Sequence, residues 1–132
     1  VKELENAKIN VLFCNDEEYP LIKKCASRLM DKGTLIVMTR GKNGSVIYSK
    51  SGAKEYPGFT IKSVDVTGAG DAFSAGFIYG YMKKWEMPHM VEFASACGAI
   101  AVTHYGPREI VPSEKEISEF IRSKRAQKGT VY

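Results

Sequence analysis

Asp65-Val66-Thr67-Gly68-Ala69-Gly70-Asp71-Ala72-Phe73-Ser74-Ala75-Gly76 is the stretch from which the rest of the chain is read. Gly68 and Gly70 flank a single alanine, which leaves three successive residues almost bare of side chains. Their N–H groups can converge on one point where a helix starts, and the positive end of the helix dipole faces the same point. Such a concavity suits an anion. Asp71 is the unexpected member, because a carboxylate there is favourable as a simple cap but odd in a site that only binds phosphate. It makes chemical sense as a base that takes a proton from a hydroxyl while the amides receive the charge of a transferring phosphoryl group. The residues alone leave three readings open: phosphate or nucleotide chemistry, a structural turn, and another ligand.

Two familiar glycine motifs are excluded. A P-loop needs G-x-x-x-x-G-K-[ST], and Gly41-Lys42 lacks both the upstream glycine and the following Ser or Thr. The dinucleotide fingerprint G-x-G-x-x-G needs glycine where Phe73 stands.

Working outward, the glycine turn opens a helical stretch to about Lys84, and Pro88 starts another helix carrying Val91, Phe93, Ala94, Cys97 and Ile100. That helix is rich in Ala and Gly and can pack closely, and Gly106-Pro107 ends it. Ser113 and Glu116 form a capping box for a last helix that buries Ile117, Phe120 and Ile121. On the other side, Ile9 to Cys14 reads as a strand, and Ile22, Cys25, Ala26, Leu29 and Met30 repeat at helical spacing up to a stop at Gly33. Thr34 to Thr39 is a strand buried on both faces, completing a βαβ crossover. Arg40 to Gly44 is a turn, Ser45 to Ser49 and Ala53 to Tyr56 are strands, and Phe59 to Val66 is extended. The 132 residues read as one α/β unit with a frayed tail over 126–132.

Composition excludes several classes. Apolar residues make up 44% and charged residues 26%, values of a folded globular chain rather than a disordered one. The longest apolar-rich run, Phe93 to Val102, is about half of what spans a bilayer. No signal-peptide pattern opens the chain, and Val1 in place of Met reads as a fragment or a processed product. Cys14, Cys25 and Cys97 are odd in number and widely spaced, which fits buried thiols of a cytoplasmic protein and not a zinc ribbon or disulfide framework. The net charge of +4 comes from Arg122, Lys124, Arg125 and Lys128, read as a solvated helix end, so neither nucleic acid nor membrane is expected as a partner.

The segment Asp65 to Ile78, with T-G-A-G-D-A-F complete, resembles the C-terminal signature of the ribokinase-like (PfkB) carbohydrate and nucleoside kinases. Asn15-Asp16-Glu17-Glu18 is similar to that family's N-x-x-E motif, and Thr39-Arg40-Gly41-Lys42-Asn43-Gly44 to its T-x-G-x-x-G turn. Gly106 and Pro112 stand where related chains have a Gly and a Pro. The resemblance implies the C-terminal part of a three-layer α/β/α sandwich with a mostly parallel sheet. It makes Asp71 the catalytic base and the amides of Gly68, Ala69 and Gly70 an anion hole for ATP's γ-phosphate. It implies that Asn15 and Glu18 help hold Mg²⁺ through water, although as plain structure Asn15 would cap the first long helix and Glu18 sit in its first turn. Thr39, Gly41 and Gly44 would border the nucleotide, or simply make a tight hairpin. Ser95 and Cys97 fall on the helix lining the adenine pocket, with Gly106 near the nucleotide, and Asp65 and Thr67 near a monovalent-cation (K⁺) site. His89 and His104 have no part in this chemistry, and Trp85 and Tyr79–Tyr81 read as packing.

A sugar or nucleoside is thus the implied substrate of an ATP-dependent kinase. The sugar-recognition half that such kinases carry at their N-terminal side is missing here, and a homodimer is a further implied partner. The competing reading is a catalytically inactive nucleotide- or phosphate-binding module, and the fragment alone is expected to turn over negligibly, because positioning and water exclusion both need the other half.

Overall fold

The computed structural model describes residues 2–61, 68–103 and 112–128. Its contacts gather into two compact groups, Val1–Pro57 and Gly58–Tyr132.

In the first group the elements are α1 (Lys2–Asn6), β1 (Val11–Asn15), α2 (Tyr19–Asp31), β2 (Leu35–Thr39), β3 (Ser45–Ser49) and β4 (Gly52–Tyr56). They form a four-stranded sheet in the order β1-β2-β3-β4. β1 and β2 pair in parallel, Val11 to Leu35 through Asn15 to Thr39. The helix α2 makes the crossover that parallel neighbours require. β2–β3 and β3–β4 are antiparallel, since the turns at Arg40–Gly44 and Lys50–Ser51 are too short for anything else. The short helix α1 has no hydrophobic repeat and lies outside what periodicity reveals.

The helix α2 lays Ala26, Ile22 and Met30 on Cys14, Ile36, Met38 and Val46 of the sheet, and Tyr19 stacks on Tyr48 at 4.8 Å between ring centres. Ile36 and its neighbour Val37 point to opposite faces, and both are fully buried, as the unbroken apolar run of β2 predicts. Gly33 ends α2 at φ +92°, with Thr34 N–H donating to the Leu29 carbonyl and Gly33 N–H to that of Met30. This is a Schellman stop, for which glycine is the natural residue.

The second group holds α3 (Ala69–Met82), α4 (Met87–Val102) and α5 (Glu114–Lys128). α3 and α4 approach so closely that a Cβ on Gly76 would lie 2.7 Å from Cys97 Sγ and 3.0 Å from Ala94 Cα. A Cβ on Gly80 would lie 2.6 Å from Met90 Cγ. α5 covers α4 with Ile117 and Ile121, which pack on Phe93, Ala96 and Ile100, and Phe120 meets Phe59 edge to face. The Ser113 half of the expected capping box forms, Glu116 N–H donating to Ser113 Oγ at 3.1 Å.

Arg125, expected at a solvated helix end, is exposed and in addition reaches Glu92 of α4 with two hydrogen bonds, Nε to Oε2 at 3.1 Å and Nη2 to Oε1. Glu92 is only 4% exposed, and a carboxylate so covered needs a cation beside it. α5 is assigned through Lys128, and residues 129–132 of the expected tail lie outside the described ones.

α3 ends in a second Schellman stop. Trp85 N–H donates to Gly80 O at 3.0 Å and Lys84 N–H to Tyr81 O at 3.1 Å. The left-handed position is held by Lys84 at φ +60°, where α2 uses glycine. Lys84→Gly relieves this strain and should raise unfolding free energy by about 0.5–1 kcal/mol; urea titration of the two chains checks it.

Candidate active site

The glycine turn opens α3 as its spacing demands. Gly68 is the residue before the helix, at φ +83° and ψ −1°, a left-handed conformation that a side chain would strain. Its carbonyl accepts the first helical bond, from Ala72 N–H at 2.9 Å. The amides of Gly68, Ala69 and Gly70 find no acceptor among the described residues, as is general for the first turn of a helix. A Cβ on Gly68 or Gly70 would meet no atom within 4 Å, so the side-chain side of both glycines is open. Asp71 stands in the same turn, exposed, and its carboxylate makes no hydrogen bond or ion pair among the described residues.

α4 backs this turn. A Cβ on Gly98 would lie 3.2 Å from the Ala69 carbonyl oxygen, so that glycine lets α4 approach the start of α3. Ser95 and Cys97 lie half-buried on α4, and burial pushes the Cys97 thiol up to about 11, which keeps it protonated and unreactive at neutral pH. Asp65, Thr67, His104 and Gly106 lie outside the described residues.

In the first group, the parallel pairing of β1 and β2 sets Asn15 beside Thr39, bringing together two motifs that are 24 positions apart in sequence. Asn15 and Glu18 clasp each other: Asn15 N–H donates to Glu18 Oε1 at 2.9 Å, and Glu18 N–H donates to Asn15 Oδ1 at 2.8 Å. This reciprocal pair has the pattern of a capping box just ahead of α2. Both residues are exposed, and Glu18 Oε2 makes no hydrogen bond among the described residues. Burial, reinforced by the Glu18 carboxylate, holds the Cys14 thiol up at about 11. Thr39 Oγ1 donates to the Cys14 carbonyl at 3.4 Å. Gly41 at φ +57° and Gly44 at φ +88° shape the following turn, which Arg40 N–H closes on Gly44 O at 2.8 Å.

Among the described residues no three or more His, Cys, Asp or Glu side chains converge on a metal-sized space. No helix among them is long and apolar enough to cross a membrane. Sequence reasoning missed Glu92 as the partner of Arg125, since nothing in a single line of residues joins positions 33 apart.

The chain is 38% identical over 97 residues to a 5-dehydro-2-deoxygluconokinase from Clostridium botulinum, covering 72% of this chain and 28% of that protein. It is 31% identical over 120 residues to an ATP-dependent ribose-1-phosphate kinase from Halopiger xanaduensis, covering 87% and 40% of the two chains. A nucleoside kinase from Burkholderia thailandensis in complex with inosine superposes with a TM-score of 0.80 at 26% identity, over 95% of this chain and 42% of that one. A candidate ribokinase II from E. coli in complex with ATP and Mg²⁺ also gives 0.80 at 26% identity, over 92% and 41%. The fold is therefore part of the ribokinase α/β architecture, with its parallel portion at β1–β2 followed by an antiparallel meander, and the chain spans well under half the length of these proteins. With residues 2–114 matching the family model for pfkB carbohydrate kinases, the chain belongs to that family.

Proposed function

We propose that this chain supplies the nucleotide-binding and catalytic-base part of a kinase that transfers the γ-phosphate of ATP to a hydroxyl of a sugar or nucleoside. One observation carries the reading: Gly68-Ala69-Gly70 starts α3 with amides that find no acceptor among the described residues, no atom within 4 Å of a Cβ on either glycine, and an exposed Asp71 in the same turn. In the reaction, Asp71 takes the proton from the acceptor hydroxyl, whose oxygen forms the new bond to phosphorus as the bond to ADP breaks. The amides of Gly68, Ala69 and Gly70 hold the charge on the moving group, acting in a place where donors are already aimed. Thr39, Gly41, Gly44, Ser95 and Gly106 border the nucleotide in this reading.

Mg²⁺ would supply charge neutralisation between phosphates. The donor set fits it: Glu18 offers a hard oxygen, Oε2, while Oε1 is anchored, and Mg²⁺ commonly keeps most of its water. Asp65 and Thr67 are proposed for K⁺. The acceptor-binding residues are assigned to the part of the relatives' length that this chain does not match. A homodimer and a cytoplasmic location belong to the same proposal; three thiols without a disulfide support the location.

A second reading is a catalytically inactive nucleotide- or phosphate-binding module. Calorimetry with Mg·ATP on this chain, run beside a phosphotransfer assay over a sugar and nucleoside panel on the protein that also carries an acceptor-binding half, separates the two. Binding is expected under both, and turnover of any acceptor rejects the module. Absence of Mg·ATP binding overturns both readings.

A further inference from the structure

Residues paired across neighbouring strands project from the same face of a sheet. The register Asn15–Thr39–Ser45–Tyr56 therefore draws one polar row across all four strands. It lies at the carboxyl ends of the parallel pair β1–β2, the edge at which open α/β sheets bind their ligands. Asn15 and Thr39 use their side-chain oxygens within the protein, on Glu18 N–H and Cys14 O respectively. Ser45 does not. Its residue is 0% exposed, and its Oγ has no hydrogen-bond partner among the described residues. A hydroxyl in that state has lost its hydration and gained nothing in exchange, which is rare in native proteins and calls for a partner.

We propose that the Ser45 hydroxyl is a nucleotide contact, donating to an oxygen or nitrogen acceptor of the bound nucleotide. The inference rests on the nucleotide reading of the Thr39–Gly44 turn and adds to it a residue outside the motif. Ser45 directly follows Gly44, and the turn before it is the way in. Gly41, Lys42 and Asn43 are exposed, and Arg40 is held by its N–H to the Gly44 carbonyl at 2.8 Å, by its carbonyl to Asn43 N–H at 3.1 Å and by an ion pair to Glu55 at 3.3 Å. Its buried Nε, like Ser45 Oγ, has no hydrogen-bond partner among the described residues. A shift of this turn brings an acceptor to Ser45.

The test uses Ser45→Ala and Ser45→Thr in the full chain, with two readouts. Without ligand, Ser45→Ala should melt about 3 °C higher, because an unpaired buried hydroxyl is removed. With Mg·ADP as the calorimetric probe, the same variant should bind about three- to tenfold more weakly, the worth of one hydrogen bond, while Ser45→Thr keeps affinity nearer to wild type. Adenosine as a second probe locates the bond: a deficit with both ligands puts it on ribose or base, and a deficit with Mg·ADP alone puts it on the phosphates. If wild type binds Mg·ADP and Ser45→Ala binds it equally well, the hydroxyl is no nucleotide contact and only this inference falls. If wild type itself fails to bind, the nucleotide reading of the turn falls and Ser45 falls with it.

Discussion

Asp71→Asn should lower kcat of the kinase-active protein by about 10²–10⁴-fold, with the affinity for Mg·ATP almost unchanged. The asparagine has nearly the same shape and still fits an exposed first turn of α3, where Asp71 is tied to nothing among the described residues. What disappears is a proton acceptor, a loss of about 1.4 kcal/mol of transition-state stabilisation for each factor of ten. Because the lost interaction belongs to the transition state alone, kcat and kcat/KM should fall together while KM stays level. Steady-state kinetics beside nucleotide calorimetry decides it. Wild-type turnover in this variant would remove Asp71 from the role of base. A loss of nucleotide binding would instead make its function anchoring.

The second large effect concerns the join between α4 and α5. Arg125→Ala should destabilise the fold by about 3 kcal/mol, read by urea unfolding. Breaking one side of a buried pair strands the other charge, which commonly costs about 3–5 kcal/mol. The lower end applies because the Arg125 side chain is 44% exposed whereas that of Glu92 is 6% exposed. The double variant Glu92→Leu with Arg125→Met should recover most of the loss, because no charge is then left without a partner. Equal stability of wild type and Arg125→Ala would mean that Glu92 finds water or another cation, and that apolar packing alone holds α5.

Much of this molecule was legible in a line of letters, for local reasons. Helix starts and stops are written in residue types with distinct backbone preferences, as at Gly33, Gly68 and Pro88, and the run Leu35–Thr39 announces a strand covered on both faces. The glycine turn and its aspartate were equally plain, because a bare backbone at a helix start has few uses and a carboxylate beside it has fewer. Tertiary structure decided what lies side by side. Only strand pairing shows that Asn15 stands next to Thr39 and that Ser45 continues the same row. The close approach of α3 to α4 turns on what Gly76 and Gly80 would strike if they had side chains. Glu92 was the least legible, a buried carboxylate whose partner is Arg125, a charge that itself stays partly in solvent. Charge on a helix is ordinarily a surface feature, and whether it is buried depends on which element folds over it. Backbone preference acts within a few residues and can be read in order, whereas desolvation and contact depend on neighbours that the chain supplies only once it has folded.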